Sequence, residues 1–163
     1  MTTPPLPRRP GSDEFDSDAA TRLRMSRIRR RDTRPEWLLR RALHARGWRY
    51  FGDRPVRGIS RCRPDLLFPR LLVAVFVDGC FWHFCPLHTH LPRANATYWH
   101  AKLLANRQRD ARHDAELTRA GWRVVRVWEH DPAEVALATV EAVLVAAQHA
   151  RAAAAAAATR KAT

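Results

Sequence analysis

Lysine is nearly missing from this chain: of 29 basic residues, only Lys102 and Lys161 are not arginine. Acid is scarce too, with 16 Asp and Glu, so the formal net charge is +13 and the sequence pI is near 11.4. That imbalance argues against a cationic partner and for a polyanion. Arginine grips phosphate bidentately and keeps its charge when partly desolvated. A merely solubilising basic surface would look the same by charge alone. Cysteine is limited to Cys62, Cys80 and Cys85. An odd count at that spacing argues against a disulfide framework and suits a reducing compartment and metal ligation. No uninterrupted run reaches the roughly 20 apolar residues of a membrane helix, so no membrane association is expected. No apolar core follows Met1, and the polar, Pro-rich start "MTTPPLPRRPGSDEF" points to the cytoplasm.

What is present reads as one domain with two tails. Residues 1–18 hold four prolines and mixed acids without apolar period, the pattern of a disordered tail. Residues 19–31, "AATRLRMSRIRRR", form either a basic arm that orders on phosphate or an extension of that tail. A helix should start at Asp32 or Thr33, carry Pro35 and Glu36 in its first turn, and stop at Gly47. "WRYFGD" (48–53), "PDLLFP" (64–69), "RLLVAVFVDG" (70–79) and "WRVVRVWEH" (122–130) read as strands. The unbroken apolar run at 70–79 suggests a central strand covered on both faces. Helices are expected over about 96–119, closed by Gly121, and from Asp131 and Pro132 onward. The Ala-rich tail, 149–163, has helix propensity but no face to bury and is expected to fray. The element order implies α/β: a mixed central sheet with helices on both sides.

The chemistry concentrates in "VDGCFWHFCPLHTH", residues 77–90. Cys80, Cys85 and His88 have metal-ligand spacing, and His130, at the end of the last strand, could close a tetrahedral set. His90 competes with His88. Four protein ligands leave no open position, so such a zinc would be structural. Phe81 and Trp82 cannot both face the core; they either cover the metal or stack on bases. His83 could deprotonate a water near neutral pH. Asp65, at a strand end, and Glu36, reaching through water, could hold Mg²⁺. Each acid alone also fits an ordinary turn or first-turn position.

The stretches "MSRIRRRDTRPEWLLRRAL", "RPDLLF", "VAVFVDGCFWH", "NRQRD" and "GWRVVRVWEH" resemble, in collinear order over about 21–131, the very-short-patch repair (Vsr) mismatch endonucleases. The resemblance implies a restriction-endonuclease-like fold over 19–148. It also implies Mg²⁺-dependent nicking of one DNA strand, 5′ to the thymine of a T·G mismatch left by deaminated 5-methylcytosine. Asp65 then matches the Mg²⁺-binding aspartate, the Val77 carbonyl its second protein ligand, Glu36 the water-mediated acid and His83 the catalytic histidine. Cys80, Cys85, His88 and His130 fall at the structural zinc positions, in a different Cys/His mixture. Phe81, Trp82 and Trp99 match the aromatics that wedge into the duplex, and Met25 a residue on the minor-groove side. Lys102, Asn106 and Asp110 match a mismatch-reading helix face, and their i, i+4, i+8 spacing supports one face. Asp78 departs from the pattern, standing where a second active-site histidine is usual. Asp78 is then a catalytic residue, either as an additional metal ligand or in that histidine's role. The expected partners are mismatched double-stranded DNA and a MutL-type repair protein. The expected state is a monomer, nucleoid-associated when acting on DNA.

Overall fold

The computed structural model describes residues 33–93 and 95–162. Met25, the 19–31 arm and the 1–18 tail lie outside the described residues.

The first helix, α1 (Arg34–Ala45), starts with Pro in its first turn and buries Leu39 and Leu43, one turn apart, on the sheet. Thr33 precedes it but does not cap the backbone; its hydroxyl donates to Glu36 Oε1 at 2.9 Å. Gly47, at φ 86°, ends the helix. The Gly47 amide bonds the His44 carbonyl and the Trp48 amide the Leu43 carbonyl, a Schellman closure that only glycine adopts without strain. The long helix α2 (Ala96–Arg119) ends in the same way, with Gly121 to Thr118 and Trp122 to Leu117.

Among the described residues, four strands make the sheet in sequence order: β1 (Phe51–Gly52), β2 (Leu66–Phe68), β3 (Val73–Asp78) and β4 (Arg123–Trp128). The first two pairings are antiparallel, while β3 and β4 run parallel, in register from Val73↔Arg123 to Asp78↔Trp128. A parallel pair needs a crossover, and α2 supplies it. Val73, Val75, Val125 and Val127 pack on α1 and on α3 (Ala133–Ala162) through Leu43, Val140 and Leu144. On the other face, Ala74, Leu67 and Cys62 pack with Leu117 of α2. The expected mixed sheet between helices is present, with 70–79 contributing its central strand.

Three expectations need correction. Of residues 48–53, only Phe51 and Gly52 pair in the sheet. Trp48 Nε1 instead donates to Glu141 on α3, and the Tyr50 hydroxyl donates to the Arg40 carbonyl on α1. The Ala-rich tail does not fray: α3 is continuous to Ala162, although residues 148–161 are exposed. A helix already nucleated by packing up to Ala147 propagates through alanine at little cost. Its segment Ala133–Lys161 is also long and apolar enough, by length and composition, to cross a membrane. Counting uninterrupted apolar residues missed this. Ala136, Leu137, Val140, Leu144 and Ala147 of this helix nevertheless lie in the core.

Candidate active site and metal centre

The site grows from the C-terminal end of β3, where the parallel pair ends and the chain must turn away. Asp65, just before β2, turns its carboxylate toward that end: Oδ2 accepts the Val77 N–H at 2.7 Å. Burial pushes the Asp65 carboxyl up to about 6, the Val77 N–H pulls it back, and the Glu36 and Asp78 charges raise it again. Glu36 is buried at 4% exposure. Arg40, one turn along α1, sends Nη2 to Glu36 Oε2 at 3.4 Å and to the Asp65 carbonyl at 3.3 Å. Glu36, Asp65 and the Val77 main chain thus meet at the junction of α1 with the sheet. A crowded carboxylate near neutral pKa is a common mark of a functional site.

Asp78 is also buried, at 4% exposure, but both its oxygens are occupied: Arg126 Nη1 reaches Oδ1 at 2.7 Å and Oδ2 at 2.8 Å. The next group along is His83, whose Nδ1 lies 3.5 Å from Asp78 Oδ1 and 2.7 Å from Asp110 Oδ2 on α2. Two carboxylates on Nδ1 favour a proton there and leave Nε2 as the acceptor. Burial raises the Asp110 carboxyl, but the hydrogen bond and charge of His83, with Arg109, outweigh it and hold the group below its ordinary value.

Beyond Asp78 the chain coils tightly. The His83 N–H bonds the Gly79 carbonyl and the Cys85 N–H the Cys80 carbonyl. Glu129, after β4, ties this coil to the sheet: its N–H bonds the Asp78 carbonyl, and its Oε1 accepts the Cys80 N–H at 2.6 Å. The coil brings Cys80, Cys85, His88 and His130 together, with one ligand atom of each within 4.8 Å of the others. Both histidines turn Nδ1 toward the sulfurs, from 3.0 Å (Cys80 to His130) to 3.9 Å (Cys85 to His130). Tetrahedral ligands with bonds of about 2.0–2.3 Å sit roughly 3.3–3.8 Å apart, so the group is preformed for a metal ion. His88 belongs to it, whereas His90 does not. Burial, together with Cys85, pushes the Cys80 thiol up to about 12. A bound cation reverses that by taking the thiolate. His130 Nε2 faces Asp131 Oδ1 at 3.7 Å, a carboxylate behind a ligating imidazole.

Phe81 and Trp82 are half-buried and lie against Trp99 of α2, with ring centroids 5.1 Å (Phe81–Trp82), 5.3 Å (Phe81–Trp99) and 6.2 Å (Trp82–Trp99) apart. The three rings form one tilted cluster beside His83.

Comparison with known proteins fits this geometry. The family described as "DNA mismatch endonuclease Vsr" matches residues 12–88. The chain is 47% identical over 119 residues to "Type II nicking enzyme V.NaeI" of Lentzea aerocolonigenes, covering 71% of each chain. It is 41% identical to "Type II nicking enzyme V.XorIIP" of Xanthomonas oryzae pv. oryzae, over 64% of this chain and 76% of that one. It is 34% identical to "DNA mismatch endonuclease Vsr" of Escherichia coli K12, over 69% and 71%. The chain belongs to the Vsr family of DNA endonucleases.

In this Vsr-family chain, the helix face expected to read DNA is turned partly inward. Lys102 is exposed. Asn106 Nδ2 donates to the Trp82 carbonyl at 3.1 Å, while Asp110 holds His83. The i, i+4 stripe runs one step further, to Asp114, which accepts from Arg126 Nε and Nη2 at 3.0–3.2 Å. Sequence reasoning assigned no role to Asp114, Arg126, Glu129 or Arg40. A signal for two of them was present: Asp114 continues the spacing, and Arg126 interrupts an apolar strand on a face that a helix covers. Asp78, the residue that departs from the family pattern, is paired with the Arg126 guanidinium through both its oxygens.

Proposed function

We propose that this chain nicks one strand of duplex DNA 5′ to the thymine of a T·G mismatch, the product of 5-methylcytosine deamination. The observation that carries the reading is a pair of contact runs, Glu36–Arg40–Asp65–Val77 and Asp78–His83–Asp110, that meet at the adjacent residues Val77 and Asp78. It joins a hard-cation donor set to an oriented histidine at the C-terminal end of β3, in a restriction-endonuclease-like arrangement. Asp65 and the Val77 carbonyl would hold Mg²⁺, with Glu36 acting through water; oxygen donors with few carboxylates suit that ion. When bound, the cation stabilises charge on the scissile phosphate and the leaving 3′ oxygen. His83 takes the proton of the attacking water at Nε2, and Asp110 stabilises the imidazolium through Nδ1. Phe81, Trp82 and Trp99 wedge into the base stack. Unstacking costs a few kcal/mol per step and is easiest at a mismatch, which supplies part of the selectivity. Two thiols and two imidazoles suit zinc, held structurally by Cys80, Cys85, His88 and His130 with no open position. Its task is to brace the coil that presents Phe81, Trp82 and His83. A cytoplasmic enzyme acting on the nucleoid, as a monomer and alongside a MutL-type protein, completes the proposal.

A second reading rests on the relatives named Type II nicking enzymes and on Asp78 in place of a histidine. In it, the same machinery nicks a different, modified or unmatched site. Labelled duplexes carrying T·G in varied contexts, the other mismatches and matched pairs separate the two. Single-strand cleavage confined to T·G supports the first reading, and equal or greater cleavage elsewhere supports the second.

A further inference from the structure

Arg126 has no part in the mechanism above, yet it is among the most heavily engaged side chains beside the site. It stands on β4 opposite Phe76 in the parallel register, with Asp78 two residues further along the same face. Its guanidinium lies 4.5 Å over the Phe76 ring. Nη1 holds both Asp78 oxygens, while the edge formed by Nε and Nη2 holds Asp114 on α2. Burial alone would weaken its charge; Asp114 and Asp78 more than reverse this and raise its basicity above the ordinary value. The fork thus bridges β3 to α2 at the point where β3 delivers Val77 and the turn to His83. One helical turn before Asp114 lies Asp110, which fixes His83. Lysine could not do this, because a point charge on a flexible stem neither spans two carboxylates nor stacks flat on a ring.

We propose that Arg126 is a positioning residue: by bolting Asp78 to Asp114 it sets His83 against the Asp65 site, and it keeps Asp78 as its own counter-ion rather than as a ligand of the divalent cation. The proposal rests on the nuclease reading for the reaction it serves. A displacement of about 1 Å of an aligned catalytic group costs on the order of a hundredfold in rate, and that is the scale expected when the bolt is removed.

The test uses the full chain with its Cys/His centre loaded. Arg126→Met keeps the bulk over Phe76 and removes both ion pairs. It should lower kcat by roughly a hundredfold and leave KM for the duplex within about threefold, the pattern of a lost transition-state alignment. Arg126→Lys should recover about tenfold of that loss, since it restores charge but not the fork. Nitrogen-15 histidine spectra should show His83 as the Nδ1–H tautomer in the wild type and as a mixture in Arg126→Met. Asp78→Asn should leave the half-saturating Mn²⁺ concentration, read by water-proton relaxation, within about twofold, because Asp78 does not touch the ion. Wild-type tautomer and kcat in Arg126→Met would overturn the positioning role. A shift in Mn²⁺ affinity of more than about tenfold in Asp78→Asn would make Asp78 a metal ligand after all. If Arg126→Met does not fold, Asp114→Asn, whose side chain is 35% exposed, carries the same expectation at about a tenfold loss, and wild-type behaviour there overturns it equally. A wild-type chain that cuts no duplex would sink the proposed function instead, and the tautomer and Mn²⁺ readings would still judge Arg126.

Discussion

Replacing Asp65 by asparagine should make the magnesium-free protein more stable while abolishing nicking. Burial first, then the charges of Glu36 and Asp78, push the Asp65 carboxyl up to about 6 from the usual 3.8. A carboxyl whose folded value is raised opposes folding wherever it is ionised. The penalty is full above about pH 6 and is relieved as pH falls through 6 toward the unfolded value. About two units, at 1.36 kcal/mol each, set an upper bound of roughly 3 kcal/mol. Local relaxation reduces this, so about 1–2 kcal/mol is expected, or roughly 2–8 °C in Tm for a chain of this size. Asparagine keeps an oxygen for the Val77 N–H at 2.7 Å and carries no charge. Calorimetry in magnesium-free buffer should show the variant melting higher at pH 7.5, with the gap narrowing at pH 5. Added Mg²⁺ should raise Tm for the wild type and not for the variant. The variant should still bind duplex DNA. A variant less stable at pH 7.5, or one that still nicks, would refute the reasoning.

Other substitutions probe other parts of the site. If the Cys80, Cys85, His88 and His130 group holds zinc as proposed, Cys80→Ser should show no zinc by native mass spectrometry and a marked fall in Tm. Asp110→Asn should lower kcat by a hundredfold or more, by analogy with loss of the orienting acid behind a catalytic histidine, with little change in KM. Because the Asp110 carboxyl is held below its ordinary value, its contribution to stability is complete above an unfolded value of about 4 and is lost as pH falls further. The Tm deficit of Asp110→Asn at pH 7 should therefore shrink near pH 3. Trp82→Ala should weaken binding of mismatched duplex by about 1–3 kcal/mol, measured by fluorescence anisotropy, while matched duplex loses less.

Much of the fold was legible because local rules and tertiary packing agree in this chain. The two Gly-Trp steps, at Gly47 and Gly121, end helices as their backbone freedom requires, and the apolar run at 70–79 lies in the middle of the sheet. Of the four clustered residues, Cys80, Cys85 and His88 could be read from spacing and His130 from its place at a strand end, while the choice between His88 and His90 depends on how the coil closes. Two segments were misread, and in both the outcome depends on distant partners. Residues 48–50 favour strand, but Trp48 and Tyr50 find hydrogen bonds on helices instead. The alanine tail has no face to bury, yet it continues a helix anchored further upstream. The role of Arg126 was out of reach because it depends on the β3–β4 register, which places Phe76 beside it and Asp78 one pleat further on. The resemblance put Asp110 on a DNA-reading face, and helix spacing agreed; its contact with His83 was not legible, because spacing shows which residues share a face, not what that face meets.

The central claim is best tested by a crystal structure of the protein on a T·G duplex in Ca²⁺, which occupies such sites without supporting turnover. A cation should sit on the Asp65 carboxylate and the Val77 carbonyl, against the phosphate 5′ to the thymine, with His83 Nε2 facing that phosphate and the aromatic cluster in the base stack. DNA seated on another face, or a cation held away from Asp65, would contradict it.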